Sequence, residues 1–292
     1  MIHIHIDVDN LWIYEKEYGI TICENKEYIY TQSLPAFLSL LKKSQSKATF
    51  MIVGKDFELP ACRSFCKEAV AKGHEIANHT WDHPVSFKNL LYKEKEKQIL
   101  KTHKIISKVC GVNPVGFRGP GYYQNKEIVT ILRKYGYKYD TSVLPGFAHL
   151  LMSIYAYTRG ESNKNKSFGR WIHILSPEYP YLIRGNKVNE TITELPISVL
   201  PYLRLPIHTT FAYAFGQKYQ NIIFKYIKSK PKYLVYLFHA IDFVDLPQQN
   251  SNHQVVPLRY SFEYRMNYAE KIINALVLAN NGPLKTSGST LN

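Results

Sequence analysis

The sequence has no uninterrupted apolar run approaching the roughly eighteen residues that a membrane-spanning helix needs. Its opening, MIHIHIDVDN, places acidic residues where an export signal carries a basic start and an apolar core. Neither a spanning helix nor an export signal is expected, which points to a cytoplasmic protein. Cysteine is scarce: Cys23, Cys62, Cys66 and Cys110 are the only four in 292 residues, and they show no paired CxxC spacing. A chain of this length needs no disulfide staples, so free thiols and no cysteine chemistry are expected. Acidic residues are in deficit, with 23 Asp and Glu against 37 Lys and Arg, a formal charge of +14. The lysines are spread along the chain, so the field suits an anionic partner such as nucleic acid, phospholipid or a phosphorylated substrate, and equally suits a solvated surface. No recognition helix or RNA-binding motif accompanies the charge, which places nucleic acid last.

What is present reads as strands alternating with helices. Ile2 to Val8 alternates branched apolar and polar residues and ends in Asp-Asn turn chemistry, so it is a predicted strand with Asp7 and Asp9 at its C-terminal end. Ser33 to Lys43 reads as a helix, Ala48 to Val53 as a strand, Pro60 to Lys72 as a helix and Glu75 to Ala77 as a short strand. A helix near Leu90 to Cys110, an extended Val115 to Phe117 and a helix over Lys126 to Tyr135 follow. Strand signal returns at Thr191 to Val199 and Tyr233 to Phe238, before a final helix near Tyr260 to Ala279. One α/β domain over 1–279 is expected, with helices outside a parallel sheet or barrel, an aperiodic insertion at about 144–190, and a disordered polar tail at 280–292. Sites in such folds gather at the C-terminal ends of the strands.

The residues with chemistry fall at those ends. His79 and His83 are four apart, so on a helix they share a face, and one carboxylate completes a two-His, one-carboxylate set with positions left for water and substrate. Such a set accepts zinc first, and cobalt, manganese or iron as alternatives. On the same helix Trp81 and Asp82 face away and need no role. His74 is expected to serve as a structural hydrogen-bonding residue, and His3 and His5 as core.

In order along the chain, HIDVDN, GHEIANHTWDHP, GFRGPGYY and LFHAID resemble the successive motifs of the NodB-type polysaccharide deacetylases, carbohydrate esterase family 4. The resemblance spans Ile2 to Asp242 and implies a distorted (β/α) barrel with seven strands. It implies Asp7 as general base, Asp9, His79 and His83 as ligands of one divalent ion, Arg118 as the residue that fixes the base, and His239 as the general acid. The chemistry supports that division, since one carboxylate holds the ion while the other, left free, takes a proton from water. The family carries an aromatic three residues after the arginine. Here Gly121 stands at that position and Tyr122 follows, so the aromatic wall is displaced, while the Gly121 N–H remains a candidate oxyanion donor. Leu237 is expected to line the acyl pocket, and Asp140 and Asp242 to support the site, Asp242 by tuning His239 or pairing with a cation. The family's Asp and Trp motif that tunes the acid is not plainly present.

The implied reaction is hydrolysis of an N-acyl, first an N-acetyl, amide on an amino sugar. The IDVDN opening and HAID ending look closer to enzymes acting on undecaprenyl-phosphate sugars, aminoarabinose deformylases included, than to polymer deacetylases of the TFDDG type. Deacetylation of soluble or polymeric glycans and a silent carbohydrate-binding relative are the alternatives. Within the insertion, Phe147, Leu150, Leu151, Met152, Ile154, Tyr155, Tyr157 and Arg159, then Phe168, Arg170, Trp171 and Ile172, mix aromatic and basic character. Pro201 to Gly216 is similar. These segments suit peripheral contact with an anionic membrane face and equally suit packing against the barrel.

Overall fold

The computed structural model describes residues 1–147, 171–246 and 254–291. Its framework is one eight-stranded sheet: β1 (Ile2–Val8), β2 (Thr49–Ile52), β3 (Glu75–Asn78), β4 (Gly116–Phe117), β5 (Tyr139–Asp140), β6 (Tyr181–Arg184), β7 (Thr191–Glu194) and β8 (Leu234–His239). The order across the sheet is β6-β7-β5-β4-β3-β2-β1-β8. Seven of these strands run parallel, and β6 alone pairs antiparallel, to β7. The seven parallel strands match the expected distorted barrel. The sheet stays open, with β6 and β8 as its edge strands, and the irregular segment after β7 lies along β8: Val235 N–H donates to Ser198 Oγ, the Tyr233 hydroxyl to the Pro196 carbonyl, and His208 pairs with Leu237.

β1 explains the layering. Its side chains alternate, so Ile2, Ile4, Ile6 and Val8 face outward into the main core, with Phe37, Leu41, Phe50 and Phe65 from the flanking elements. The opposite face carries His3, His5 and Asp7 into the hollow of the sheet, beside a small apolar cluster that includes Met51, Ala77, Tyr139 and Val235. Burying a full apolar side chain contributes about 1.5–3 kcal/mol, so the outer face holds the strand while the inner face is free to carry polar groups that are matched.

Three readings need correction. The sequence pattern does not predict the helix Leu11–Tyr18, although Asn10 caps it by accepting from Leu11 N–H and Gly19 ends it in the left-handed conformation. Nor does it predict the helix Thr209–Lys228, whose Gly216 is non-helical and whose aromatic content obscures the period. Finally, the ending expected to be disordered is tied down. Leu284 and Ser287 are buried, and the main chain of Leu284 bonds to Lys47 N–H and Ser46 Oγ. Composition misled here because the tail's polar groups pair with buried polar groups of β1 to β3, a match that local sequence does not display.

Within the insertion, β6 joins the sheet, whereas Leu150, Leu151, Met152, Ile154, Tyr155, Tyr157, Arg159, Phe168 and Arg170 lie outside the described residues. Phe147 and Ile172 are exposed. The segment from Pro201 to Gly216 is divided: Ile207, Phe211, Ala212 and Tyr213 pack inward, while Tyr202 is 98% exposed and Leu203 and Phe215 more than half exposed. Among the described residues no helix is long and apolar enough to cross a membrane.

Candidate active site

The C-terminal ends of β1, β3, β4 and β8 bring most of the expected residues together. Asp9 Oδ1 lies 3.5 Å from His79 Nε2 and 3.6 Å from His83 Nε2, and one ligand atom from each of the three lies within 4.8 Å of the others. The two histidines do not share a helix face, as the spacing suggested. They sit on a loop leaving β3, in which Thr80 and His83 both take positive φ, 65° and 46°. That costly backbone is held from several sides. Thr80 N–H donates to Asn78 Oδ1, Gln98 Oε1 accepts from Trp81 and Asp82 N–H, and Thr80 O accepts from Gly54 N–H. Trp81 and Asp82 point elsewhere, Trp81 beneath the Lys101 ammonium and Asp82 onto Gln98.

The donor set fits a divalent cation. His79 Nδ1 faces the Arg118 carbonyl at 2.8 Å; a carbonyl only accepts, so Nδ1 carries a proton, and in the neutral ring Nε2, on the Asp9 side, is the nitrogen with a lone pair for an ion. Asp9 Oδ1 is buried with no hydrogen-bond partner, a state that costs about 1–3 kcal/mol unless something else engages it. Burial pushes the Asp9 carboxyl up, but His83 and His79 more than reverse this and hold it well below the usual range. Burial pulls His79 down, yet Asp7 and Asp9 outweigh it and raise it, while burial keeps His83 low.

Beside this group, Arg118 follows β4 and is completely buried. Its Nη1 donates to Asp7 Oδ1 at 2.5 Å, its Nη2 to His5 Nδ1 and Thr141 Oγ1, and its Nε to the Thr141 carbonyl. Asp7 Oδ2 faces His239 Nε2 at 3.9 Å, a placement that follows from the register pairing Asp7 with His239 across β1 and β8. Leu237, one step below His239 on the same face of β8, is fully buried beside His5. Gly121 takes φ 61°, a conformation glycine adopts cheaply, and Tyr122 follows with φ 60°. Burial and then the neighbouring Asp7 hold the Tyr122 phenol protonated.

The two acids expected to support the site, Asp242 and Asp140, both accept from main-chain N–H groups. Asp242 Oδ2 accepts from His239 main-chain N–H at 2.9 Å, not from the ring, and its Oδ1 has no partner. Asp140 Oδ1 accepts from the Ser142 hydroxyl and N–H, and Ser142 Oγ in turn accepts from Gly119 N–H, which anchors the turn carrying Gly121 and Tyr122. Burial pushes Asp140 up to about 7.

Sequence reasoning missed several neighbours. Glu194 ends β7, fully buried, and accepts from Val143 N–H; an acid closing a parallel strand was the available signal. Tyr14 comes from the unread first helix, its phenol kept protonated by burial and by Asp9 and Asp242. His208 is buried with neither ring nitrogen bonded, its ring 6.1 Å from that of His239 and 6.4 Å from that of Tyr122. No local pattern marks it.

A family model described as polysaccharide deacetylase matches residues 20–139, which include His79, His83 and Arg118 but stop short of Asp7 and Asp9 on one side and His239 on the other. The chain is 32% identical over 124 residues to a peptidoglycan-N-acetylglucosamine deacetylase of Bacillus cereus, covering 42% of this chain and 55% of that one. It is 32% identical over 104 residues to a chitooligosaccharide deacetylase of Azorhizobium caulinodans, covering 35% and 48%. The chain thus spans about half the length of these relatives. Among solved structures, a Mycobacterium smegmatis protein assigned as a polysaccharide deacetylase superposes with TM-score 0.60 at 14% identity, over 99% of this chain and 87% of that one. A CE4 family pseudoenzyme from Bacillus anthracis superposes with TM-score 0.50 at 15% identity, over 100% and 65%. The fold is therefore shared with a pseudoenzyme too, and the side chains must carry the argument about activity.

Proposed function

We propose that this chain, which belongs to the polysaccharide deacetylase family, is a metal-dependent hydrolase that removes an N-acyl group, first an N-acetyl group, from an amino sugar. One observation carries the reading: a buried two-His, one-carboxylate cluster lies beside a second carboxylate, Asp7, which faces both a guanidinium and an imidazole. A divalent cation held by Asp9, His79 and His83 supplies Lewis-acid polarisation of the acyl carbonyl and makes water more acidic. Zinc suits the ligands best, with cobalt, manganese and iron as substitutes.

The chain's own residues do the rest. Asp7 takes the proton of the attacking water, and Arg118 fixes its orientation. His239 gives a proton to the departing nitrogen, without which the C–N bond does not break. The 3.9 Å between Asp7 Oδ2 and His239 Nε2 exceeds hydrogen-bond contact and leaves base and acid each free to face a reacting group. Gly121 N–H and Tyr122 border the position of the tetrahedral oxygen, and Leu237 closes the acyl side.

For the substrate, a lipid-linked amino sugar such as an undecaprenyl-phosphate sugar is the first reading, with the enzyme working peripherally at the cytoplasmic membrane face. The charge of +14 and the exposed Tyr202, Leu203 and Phe215 on the stretch flanking His208 support it. A polymeric or soluble glycan is the second reading, favoured by the peptidoglycan and chitooligosaccharide named for the two relatives. Mass spectrometry separates them. Wild type and Asp7→Asn are incubated with zinc or cobalt and either undecaprenyl-phosphate N-acylated sugars or chitooligosaccharides. Loss of one acetyl or formyl mass from the lipid-linked sugar with wild type alone supports the first reading. The same loss from chitooligosaccharide alone supports the second, and no loss from either overturns the enzyme.

A further inference from the structure

The inner face of β1 carries a continuous polar ladder: His3, His5 and Asp7, with Asp9 just beyond the strand. Its upper rungs belong to the site and its lower rungs touch the C-terminal segment. His3 Nδ1 donates to the Lys285 carbonyl at 3.0 Å, and His5 Nε2 lies 2.7 Å from Ser287 Oγ in a fully buried contact. The segment is fixed there by further bonds, from Ser287 N–H to Thr49 Oγ1 and from Gly288 N–H to Glu75 Oε2.

The direction of each bond in the ladder is settled by donor and acceptor chemistry. A guanidinium only donates, so the 2.8 Å contact between Arg118 Nη2 and His5 Nδ1 requires Nδ1 to be an acceptor. His5 is then the neutral tautomer protonated on Nε2, and that N–H donates to Ser287 Oγ. Ser287 thereby sets the ring of His5, the ring gives Arg118 Nη2 one acceptor beside those of Thr141, and the other end of the same planar guanidinium reaches Asp7 Oδ1. Rotating His5 or withdrawing Ser287 removes that acceptor and leaves Thr141 alone to hold the guanidinium opposite Asp7.

We propose that the C-terminal segment belongs to the site's positioning machinery, with Ser287 and His5 as positioning residues that aim Arg118 at Asp7. This rests on Asp7 being the base. Neither residue touches substrate or reacting atoms, and both act through Arg118.

The test uses full-length His5→Phe, which keeps the ring but removes both nitrogens, His5→Asn, whose Oδ1 restores an acceptor at the place of Nδ1, and Ser287→Ala. Two readouts are taken. The first is kcat and KM for acetate or formate release from the substrate found above. The second is the water-exchange rate of the Arg118 Nε–H resonance in metal-free protein, which needs no turnover. His5→Phe is expected to lose about tenfold to a hundredfold in kcat with KM within twofold, the usual effect of a small misplacement. Its Nε–H exchange should speed up at least tenfold, Ser287→Ala should shift both readouts the same way by severalfold, and His5→Asn should recover most of each. Wild-type values of both readouts in Ser287→Ala overturn the proposal even if His5→Phe does not fold, and so does a His5→Asn as impaired as His5→Phe. If wild type releases no acid from any substrate, the hydrolase reading falls, and the exchange rates alone decide whether the segment holds Arg118.

Discussion

The two ends of the parallel sheet bury polar side chains to a similar depth and treat them differently. At the lower end His3, His5, Thr49, Glu75, Tyr139 and Ser287 form a connected set in which each makes at least one hydrogen bond. At the upper end Asp9 Oδ1, His83 Nδ1, Asp242 Oδ1 and both nitrogens of His208 are buried with none. A buried polar atom without a partner costs about 1–3 kcal/mol, so the upper end stores a cost that the lower end avoids. The same strands carry both, and the difference marks where a ligand belongs and where the fold supplies its own partner.

The largest expected effect tests this contrast with two near-isosteric substitutions. Asp9→Asn should lower acid release by about three orders of magnitude or more and abolish tight cobalt binding. It should cost the metal-free protein less stability than Thr49→Val does, because no hydrogen bond to Asp9 Oδ1 is lost and only its longer contacts to His79 and His83 are weakened. Thr49→Val should do the reverse. It removes the bond to Glu75 Oε2 and the acceptor for Ser287 N–H, costing about 1–3 kcal/mol, with the metal affinity intact. If Asp9→Asn destabilises the metal-free protein as much as Thr49→Val does, the two ends are not different in kind.

How much of this the sequence displayed follows the same division. The alternation of β1 placed Asp7 and Asp9 correctly at a strand end, and the order of motifs assembled Arg118, His239, His79 and His83 around them. Helical spacing gave the wrong reason for the histidine pair: their approach depends on two positive-φ residues and on Gln98, a residue nineteen and fifteen positions away in sequence. His3 and His5 were read as core, which is true of their burial, but their partners lie some 280 residues on. Neither composition nor periodicity records such pairings. The polar ending read as disordered for the same reason, since its buried partners belong to strands at the other end of the chain.

A smaller effect comes from pH, and its sign can be worked out for His3. Burial holds His3 down to about 4, against an ordinary value of 6.5. Above 6.5 both folded and unfolded chains keep it neutral and its contribution is complete. As pH falls below 6.5 the unfolded chain gains a proton that the folded chain refuses, so stability is lost progressively until about pH 4 and amounts to roughly 3 kcal/mol. Asp56 and Asp140, pushed up to about 6 and about 7 by burial, act oppositely and favour the folded state as pH falls. A difference measurement therefore isolates His3. His3→Asn keeps a donor for the Lys285 carbonyl, and its urea stability relative to wild type should improve steadily between pH 6.5 and 4.5. A constant difference across that range means the lower end does not exclude the proton.

The smallest effect probes how tightly the C-terminal segment seats. A Cβ built on Gly288 lies 2.8 Å from Val115 Cγ2 and 2.9 Å from Glu75 Oε1, closer than real contacts allow. Glu75 cannot yield freely, because Thr49 and Tyr139 hold its two oxygens while Gly288 N–H bonds one of them. Gly288→Ala should therefore lift the segment slightly and cost about 1–2 kcal/mol, read from the shift in urea midpoint. The upper end should keep its cobalt affinity, since Asp9, His79 and His83 make no contact with the segment. An unchanged midpoint would mean that the segment rides loosely on the sheet, and that the lower end's polar residues find their partners in water as readily as in the chain.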